Sequence, residues 1–575
     1  MVKNYESFYE GSTNIFDPYE NDLSSEYRIS ASRIGSPTSI QTANQISEVS
    51  ARLSEGVKVV ELQPIADKVF ETIPKQHMRE ISRLAKLTGS EISLHAPIID
   101  PAGFTEYGWD ENSRERAENN IWNVIERGHE LNPKGNVPIV IHASKLPAAE
   151  FKKEGEKEVK EMLVAVNQRD GRLVGLKREK EFYPDGKEVI KTPEEKIKIS
   201  NETEWQNSLR PMIEHLKTAE DRLNESWPLI GPKIMKGELN EKKLTPEEKQ
   251  AINNLERANF FLNHAYAEMR NLYDVAYKYG NEKTKEQLKK FSQEFKSALE
   301  KIRTPTQELE VLTQFTAKLA KIKPPQIYKP VEEFAVEKAG KTFGHVAFKA
   351  FEKWKDKAPI INIENVFPEM AFSRAEQLKK LIEKSREEFI HQAIEKGYSR
   401  EEAKEAAKKL IGATWDVGHI NLLRRLGFSK KKIIEETKKI APYVKHVHLT
   451  DNFGYEDSHL PPGMGEVPIK EMLKELEKSG FKGKTIVEAG GFVSQFKVSP
   501  HPYVLEALGS PLYPAIMQPY WNQIRGTYGH YFSGYGMMLP EQHFSMYGAG
   551  FSSLPAELGG QILGRRSKLS GTPLE

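Results

Sequence analysis

No cysteine occurs in the 575 residues, which excludes disulfides, thiolate metal sites and cysteine nucleophiles. A strong charge of one sign is missing too. The 84 Lys+Arg and 82 Asp+Glu leave a formal charge of +2, so no basic field argues for bulk nucleic-acid binding. No apolar run reaches the roughly 18 residues that a membrane span needs. The opening Met1-Val-Lys-Asn-Tyr-Glu lacks the apolar core of a signal peptide, so a soluble, cytoplasmic protein is expected. What remains is ample for a globular core: 38% hydrophobic and 29% charged residues, with 15 histidines. Any metal must therefore be held by His, Asp and Glu.

Short β-branched runs alternate with amphipathic stretches in two blocks. The first block carries Tyr27–Ala31, Val57–Leu62, Glu91–His95 and Val137–His142. The second carries Pro359–Glu364, Ile411–Asp416, Val444–Leu449 and Lys484–Glu488. Helical patterns lie between them, such as Lys75–Leu87 and the stretches opened by Ser373-Arg-Ala-Glu376 and Ser399-Arg-Glu-Glu402. Nearly continuous apolar strands are those of a parallel sheet covered on both faces. Eight β/α units predict an α/β fold, a closed (β/α)8 TIM barrel. The alternative is an open doubly wound sheet, but no glycine-rich phosphate loop follows the first strand.

The expected organisation is a polar N-terminal arm (1–26), a first half-barrel (27–150), an inserted, mostly helical subdomain (151–357), a second half-barrel (358–498) and a C-terminal extension (499–575). The insert opens with a hairpin turning at Asp170-Gly171 and continues in helices near 202–226, 246–279 and 283–303, with Thr245-Pro246-Glu247-Glu248 as one helix start. It leaves after a strand, which places it on the face where barrel active sites lie. The extension is rich in aromatics and glycine and reads as a tail packed over the barrel. A protein partner docking through the insert or the tail is the sharper alternative.

The informative residues stand at the strand ends: His95, His142, Glu364, Asp416, His448 and Glu488. A closed barrel gathers such ends at one mouth. His419 follows Asp416 by three, and Asp457 and His459 lie in the loop after the seventh strand. His446, which alternates with His448, is read as structural and pointing to the other face. Carboxylates and imidazoles without thiolates suit zinc, manganese or iron, and nine donors with one bridging carboxylate suffice for two or three ions. Closely spaced metals generate a hydroxide nucleophile and stabilise attacking and leaving oxygens.

Leu94-His95-Ala96-Pro97, Glu364-Asn365, Asp416-Val-Gly-His419, His446-Val-His448-Leu-Thr-Asp451, Asp457-Ser-His459 and Glu488 resemble the xylose-isomerase-like TIM-barrel superfamily. Every metal ligand of its endonuclease IV branch (AP endonuclease family 2) finds a counterpart. The resemblance implies one zinc on His95, His142 and Glu364. It implies a second on Glu364, Asp416, His448 and Glu488, and a third on His419, Asp457 and His459. That branch hydrolyses the phosphodiester beside an abasic site in DNA. Ile98 stands where the branch usually has a tyrosine that enters the duplex.

Two enzymatic readings follow. The leading one is metal-dependent phosphodiester hydrolysis, with abasic DNA as partner, on the strength of the full donor set. The alternative is sugar or sugar-phosphate isomerisation or epimerisation, with Glu364 and Glu488 as the catalytic acid/base pair. By the same resemblance, Glu61, Asn365 and Asp451 would then touch a small sugar. A barrel kept as a mere scaffold ranks third, because no ligand is missing.

Overall fold

The computed structural model describes residues 29, 31–147, 149–154, 157–239, 244–490, 492 and 500–508, and the pairs 568–569 and 572–573. The arm over 1–26 and nearly all of the tail lie outside the described residues.

Eight parallel strands close a barrel: β1 Ile34–Pro37, β2 Val59–Leu62, β3 Glu91–His95, β4 Pro138–His142, β5 Ile360–Glu364, β6 Ile411–Asp416, β7 Val444–Leu449 and β8 Thr485–Val487. Each pairs with the next in sequence, and β1 returns to β8 through Ile34↔Thr485 and Gly35↔Ile486. The first strand departs from expectation. It runs from Ile34 after a short 3-10 turn at Ala31–Arg33, and of the expected Tyr27–Ala31 all but Ile29 and Ala31 lie outside the described residues. A β-branched run alone does not tell the approach to a strand from the strand.

The strands form because alternate residues face two different surroundings. Ile361 and Ile363 of β5, and Ile411, Ala413 and Trp415 of β6, point outward into the main apolar core. Helices cover that outer face, among them Lys75–Thr88, Glu111–His129, Val331–Trp354, Ala375–Glu395, Lys430–Ile440 and Ile469–Lys478. Lys75–Thr88 stops at Gly89, which takes the left-handed conformation (φ 65°). Ser399 caps its helix through Glu402 N, as its sequence suggests. Ser373 does not cap: the helix starts at Ala375, whose N–H is held by Glu436 Oε2 at 3.1 Å.

Within the insert, Lys157–Asn167 and Leu173–Lys177 pair antiparallel around the expected turn. Glu150–Glu154 and Tyr328–Pro330 extend this sheet, and Glu179–Phe182 with Glu188–Lys191 form a second hairpin. Helices Pro193–Lys236, Pro246–Tyr279, Glu282–Leu299 and Pro305–Ala320 follow. They share a core of their own, built on Trp205, Leu209, Met212, Leu262, Met269 and Phe315. Asn201 donates to Tyr328 O at 2.9 Å and accepts from Tyr328 N at 2.7 Å, so the chain enters and leaves the bundle side by side.

The turn docks on the loop after β3. Trp109 N donates to Gly171 O at 2.8 Å, and a Cβ at Gly171 would lie 2.0 Å from Trp109 O. Only glycine fits there. The last helix of the expected insert, Val331–Trp354, lies in the barrel wall, with Phe343, Val346 and Ala347 in the barrel core. Its Thr342 accepts from Arg114 Nη1 at 3.0 Å. Its His345 sits between Glu118 (3.3 Å) and Glu388 (3.1 Å) of the two flanking helices. Among the described residues, no helix is long and apolar enough to cross a membrane.

Candidate metal centre

The strand register sets neighbours side by side at one mouth of the barrel. Glu364 pairs with His142, and Asp416 with His448. The donors then meet. Glu364 Oε2 lies 3.1 Å from His95 Nε2 and 3.2 Å from His142 Nε2, and its Oε1 lies 2.6 Å from His448 Nδ1. Glu488 Oε1 is 3.5 Å from the same Nδ1. Nearer the rim, Asp457 Oδ2 is 2.6 Å from His459 Nε2 and 3.6 Å from His419 Nε2. His419 Nε2 also lies 3.9 Å from Asp416 Oδ2, which links the rim to the interior.

Among the described residues, five overlapping groups have donor atoms within 4.8 Å of one another and could each hold an ion: His95–His142–Glu364, Glu364–Asp416–His448–Glu488, His419–Asp457–His459, His95–His448–Glu488 and, one level deeper, Glu61–His446–His448. All nine strand-end and loop candidates thus converge. Their partners on the far side fix which nitrogen is free. His95 Nδ1 faces Ala96 O at 2.8 Å and His419 Nδ1 faces Asn365 O at 2.9 Å, so each presents Nε2 inward. Asp416 Oδ1 accepts from Gly418 N, His419 N and Thr450 Oγ1, and its Oδ2 is buried with no hydrogen-bond partner. An orphaned buried oxygen beside other carboxylates fits a cation.

The electrostatics point the same way. Burial, with the charges of Glu488, Glu364 and Asp457, pushes the Asp416 carboxyl up against the pull of His419. Burial also acts to raise Glu364, but His448, His142 and His95 hold it well below the usual carboxylate range. Burial holds His142 down.

Two expected substrate contacts are engaged elsewhere. Asn365 donates to Asp416 O (3.0 Å) and accepts from Asp416 N (2.7 Å), stapling the ends of β5 and β6. Asp451 accepts from the backbone N–H groups of Asn452, Gly463, Gly465 and Val467 at 2.9–3.0 Å, and so folds the loop that carries Asp457 and His459. Glu61 is fully buried beneath the donor layer, and Gln63, which sequence reasoning missed, donates to Glu488.

His446 faces the lumen, not the other face as expected. Residues two apart on a strand share a face, so His446 points into the barrel with His448, and its Nε2 lies 2.9 Å from Glu61 Oε2. The same step of two puts Ser93, Asn362 and Thr414 beneath His95, Glu364 and Asp416. These four side chains, all buried, make a second polar level in the lumen.

Residues 337–493 match the family model described as xylose isomerase-like TIM barrel. An uncharacterised protein of Methanocaldococcus jannaschii is 33% identical over 85 residues, 15% of this chain and 28% of that protein. Fructoselysine 3-epimerase of Shigella flexneri is 30% identical over 70 residues, 12% of this chain and 24% of the enzyme. The chain thus spans about a quarter of the length of the curated relatives it matches. Among solved structures, a D-tagatose 3-epimerase-like protein aligns with a TM-score of 0.37 at 13% identity, over 82% of this chain and 98% of that one. The D-psicose 3-epimerase of Clostridium cellulolyticum aligns at 0.37 and 8%, over 83% and 96%.

Proposed function

We propose that this protein is a metal-dependent sugar or sugar-phosphate isomerase or epimerase in which Glu364 and Glu488 form the acid/base pair. The observation that carries the reading is the buried group of Glu364, Asp416, His448 and Glu488, whose donor atoms lie within 4.8 Å of one another. Three carboxylates and one imidazole suit manganese, iron or zinc. A bound divalent ion would supply Lewis acidity toward a ketone and its neighbouring hydroxyl. Glu364 ends β5 and Glu488 directly follows β8, and their carboxylates lie 2.6 and 3.5 Å from His448 Nδ1. From those positions one carboxylate takes the proton from the carbon beside the carbonyl, and the other returns a proton to that carbon or its neighbour. The local identity to a sugar 3-epimerase supports this reading over hydrolysis.

The test is deuterium exchange. Manganese-loaded protein incubated with a panel of ketoses in D2O is expected to label the carbon next to the carbonyl, and both Glu364→Gln and Glu488→Gln to stop it. Fully loaded protein that labels no ketose would refute the reading.

The group His419–Asp457–His459 favours a second reading, phosphodiester hydrolysis at a centre of two or three zinc ions, since a single-ion epimerase has no obvious use for it. The formal charge of +2 and the half-exposed Ile98 speak against a DNA partner. Three metals per chain, cleavage of an abasic duplex and severe loss in His419→Ala would establish it. One metal per chain and an uncut duplex would exclude it.

A further inference from the structure

Glu61 lies one level below the donor layer, with no exposure to solvent. Its Oε1 is 3.0 Å from His448 Nε2, somewhat off the hydrogen-bond axis, and its Oε2 is 2.9 Å from His446 Nε2. Ser93 Oγ donates to that same Oε2 at 2.7 Å, and Gln63 Nε2 reaches Oε1 at 3.4 Å. Both oxygens are therefore engaged from inside the barrel, and neither is left for a substrate at the mouth. An unpaired carboxylate in such a place would be costly, so its neighbours give the reason it is tolerated.

His448 has carboxylates on both edges. Its Nδ1 faces Glu364 and Glu488, and its Nε2 faces Glu61. A neutral imidazole has one N–H and one lone pair, and only the lone pair binds a metal. His95 and His419 are oriented by backbone carbonyls at Nδ1 and offer Nε2. Among the described residues no backbone carbonyl is hydrogen-bonded to the His448 ring; a carboxylate stands behind it, at the opposite nitrogen. We infer that Glu61 is a positioning residue for the metal centre: it holds the Nε2–H of His448, keeps the Nδ1 lone pair toward Glu364 and Glu488, and is itself held by Ser93 and His446. A carboxylate behind a ligand histidine also makes it a stronger donor. The inference rests on the metal-centre part of the proposed function and is independent of which substrate is used.

The test is manganese binding to the full chain, followed by electron paramagnetic resonance, together with imidazole 15N spectra of the zinc-loaded protein. In the wild type, His448 is expected as the Nε2–H tautomer with a metal-shifted Nδ1. Glu61→Leu is expected to weaken manganese binding by roughly 10- to 100-fold, as loss of such outer partners does, and to remove the Nε2–H signature. Glu61→Gln keeps an acceptor and is expected to lose less than about 10-fold, which covers the case in which the leucine variant does not fold. Ser93→Ala should fall between wild type and Glu61→Leu. Tight wild-type binding with affinity and tautomer unchanged in Glu61→Leu, or unchanged in Ser93→Ala where the leucine variant does not fold, overturns the inference alone. A wild-type protein that binds neither metal overturns the metal centre with it.

Discussion

His345 gives a quantitative prediction on the barrel wall, away from the metal donors. Its ring bridges Glu118 and Glu388 at 3.3 and 3.1 Å, and Arg114 Nη1 holds the other oxygen of Glu118 at 2.5 Å. Burial alone would hold His345 down, but the two carboxylates push it up from 6.5 to about 9. The folded protein thus binds this proton more tightly than the unfolded chain. The resulting stabilisation is fully present below pH 6.5 and is lost as the pH rises through about 9. At about 1.4 kcal/mol per tenfold in proton affinity, the ceiling is about 3 kcal/mol. With 22% of the side chain in solvent, screening reduces the expected effect to about 1–2 kcal/mol. Urea unfolding of wild type and His345→Gln between pH 6 and 10 measures it. The wild type should be the more stable below pH 6.5, and the gap should close by that amount above pH 9. A gap that stays constant across the range would refute the reasoning.

Three further outcomes are expected. Gly418→Ala would place a Cβ 2.0 Å from Thr450 Oγ1, the hydroxyl that donates to Asp416, so a loss of about 1–3 kcal/mol and weaker metal binding should appear in urea titrations and metal competition. Asp451→Asn replaces a carboxylate that holds four backbone amides; a loss of about 2–3 kcal/mol confined to 452–467 should appear as faster amide exchange there, with the strands unchanged. Excising 205–322 behind a short glycine linker between the adjacent Asn201 and Tyr328 segments should abolish one calorimetric transition and leave that of the barrel in place. A barrel that fails to fold would show that the bundle core is not independent.

The barrel was legible because its outward faces are largely apolar, as at Ile411, Ala413 and Trp415 of Ile411–Asp416 and Val447 and Leu449 of Val444–Leu449, both strands found at their expected bounds. The donor set was legible because the chemistry sits at the strand ends. Three things were not. The first strand runs from Ile34, with Ala31–Arg33 before it in a 3-10 turn, and pairing, which sets such a start, is not a local property. Val331–Trp354 reads like any helix of the insert, and only its packing against the flanking helices reveals a barrel role. Asn365 and Asp451 carry polar groups of the kind that touch substrates, but backbone amides and carbonyls claim them first, and no sequence pattern records that competition. The polar second level needed only the rule that every other residue shares a face, correctly applied to His446.

That second level has an evolutionary corollary. Cohesion of the cylinder comes from the oily wrap between strands and helices, whereas Ser93, Asn362, Thr414 and His446 along the axis contribute little to it. Inward positions can thus change, as a set that keeps its buried polar groups paired, without disturbing that wrap. A lineage built on this chassis can exchange one chemistry for another by rewriting a few lumen side chains, without renegotiating how the chain folds.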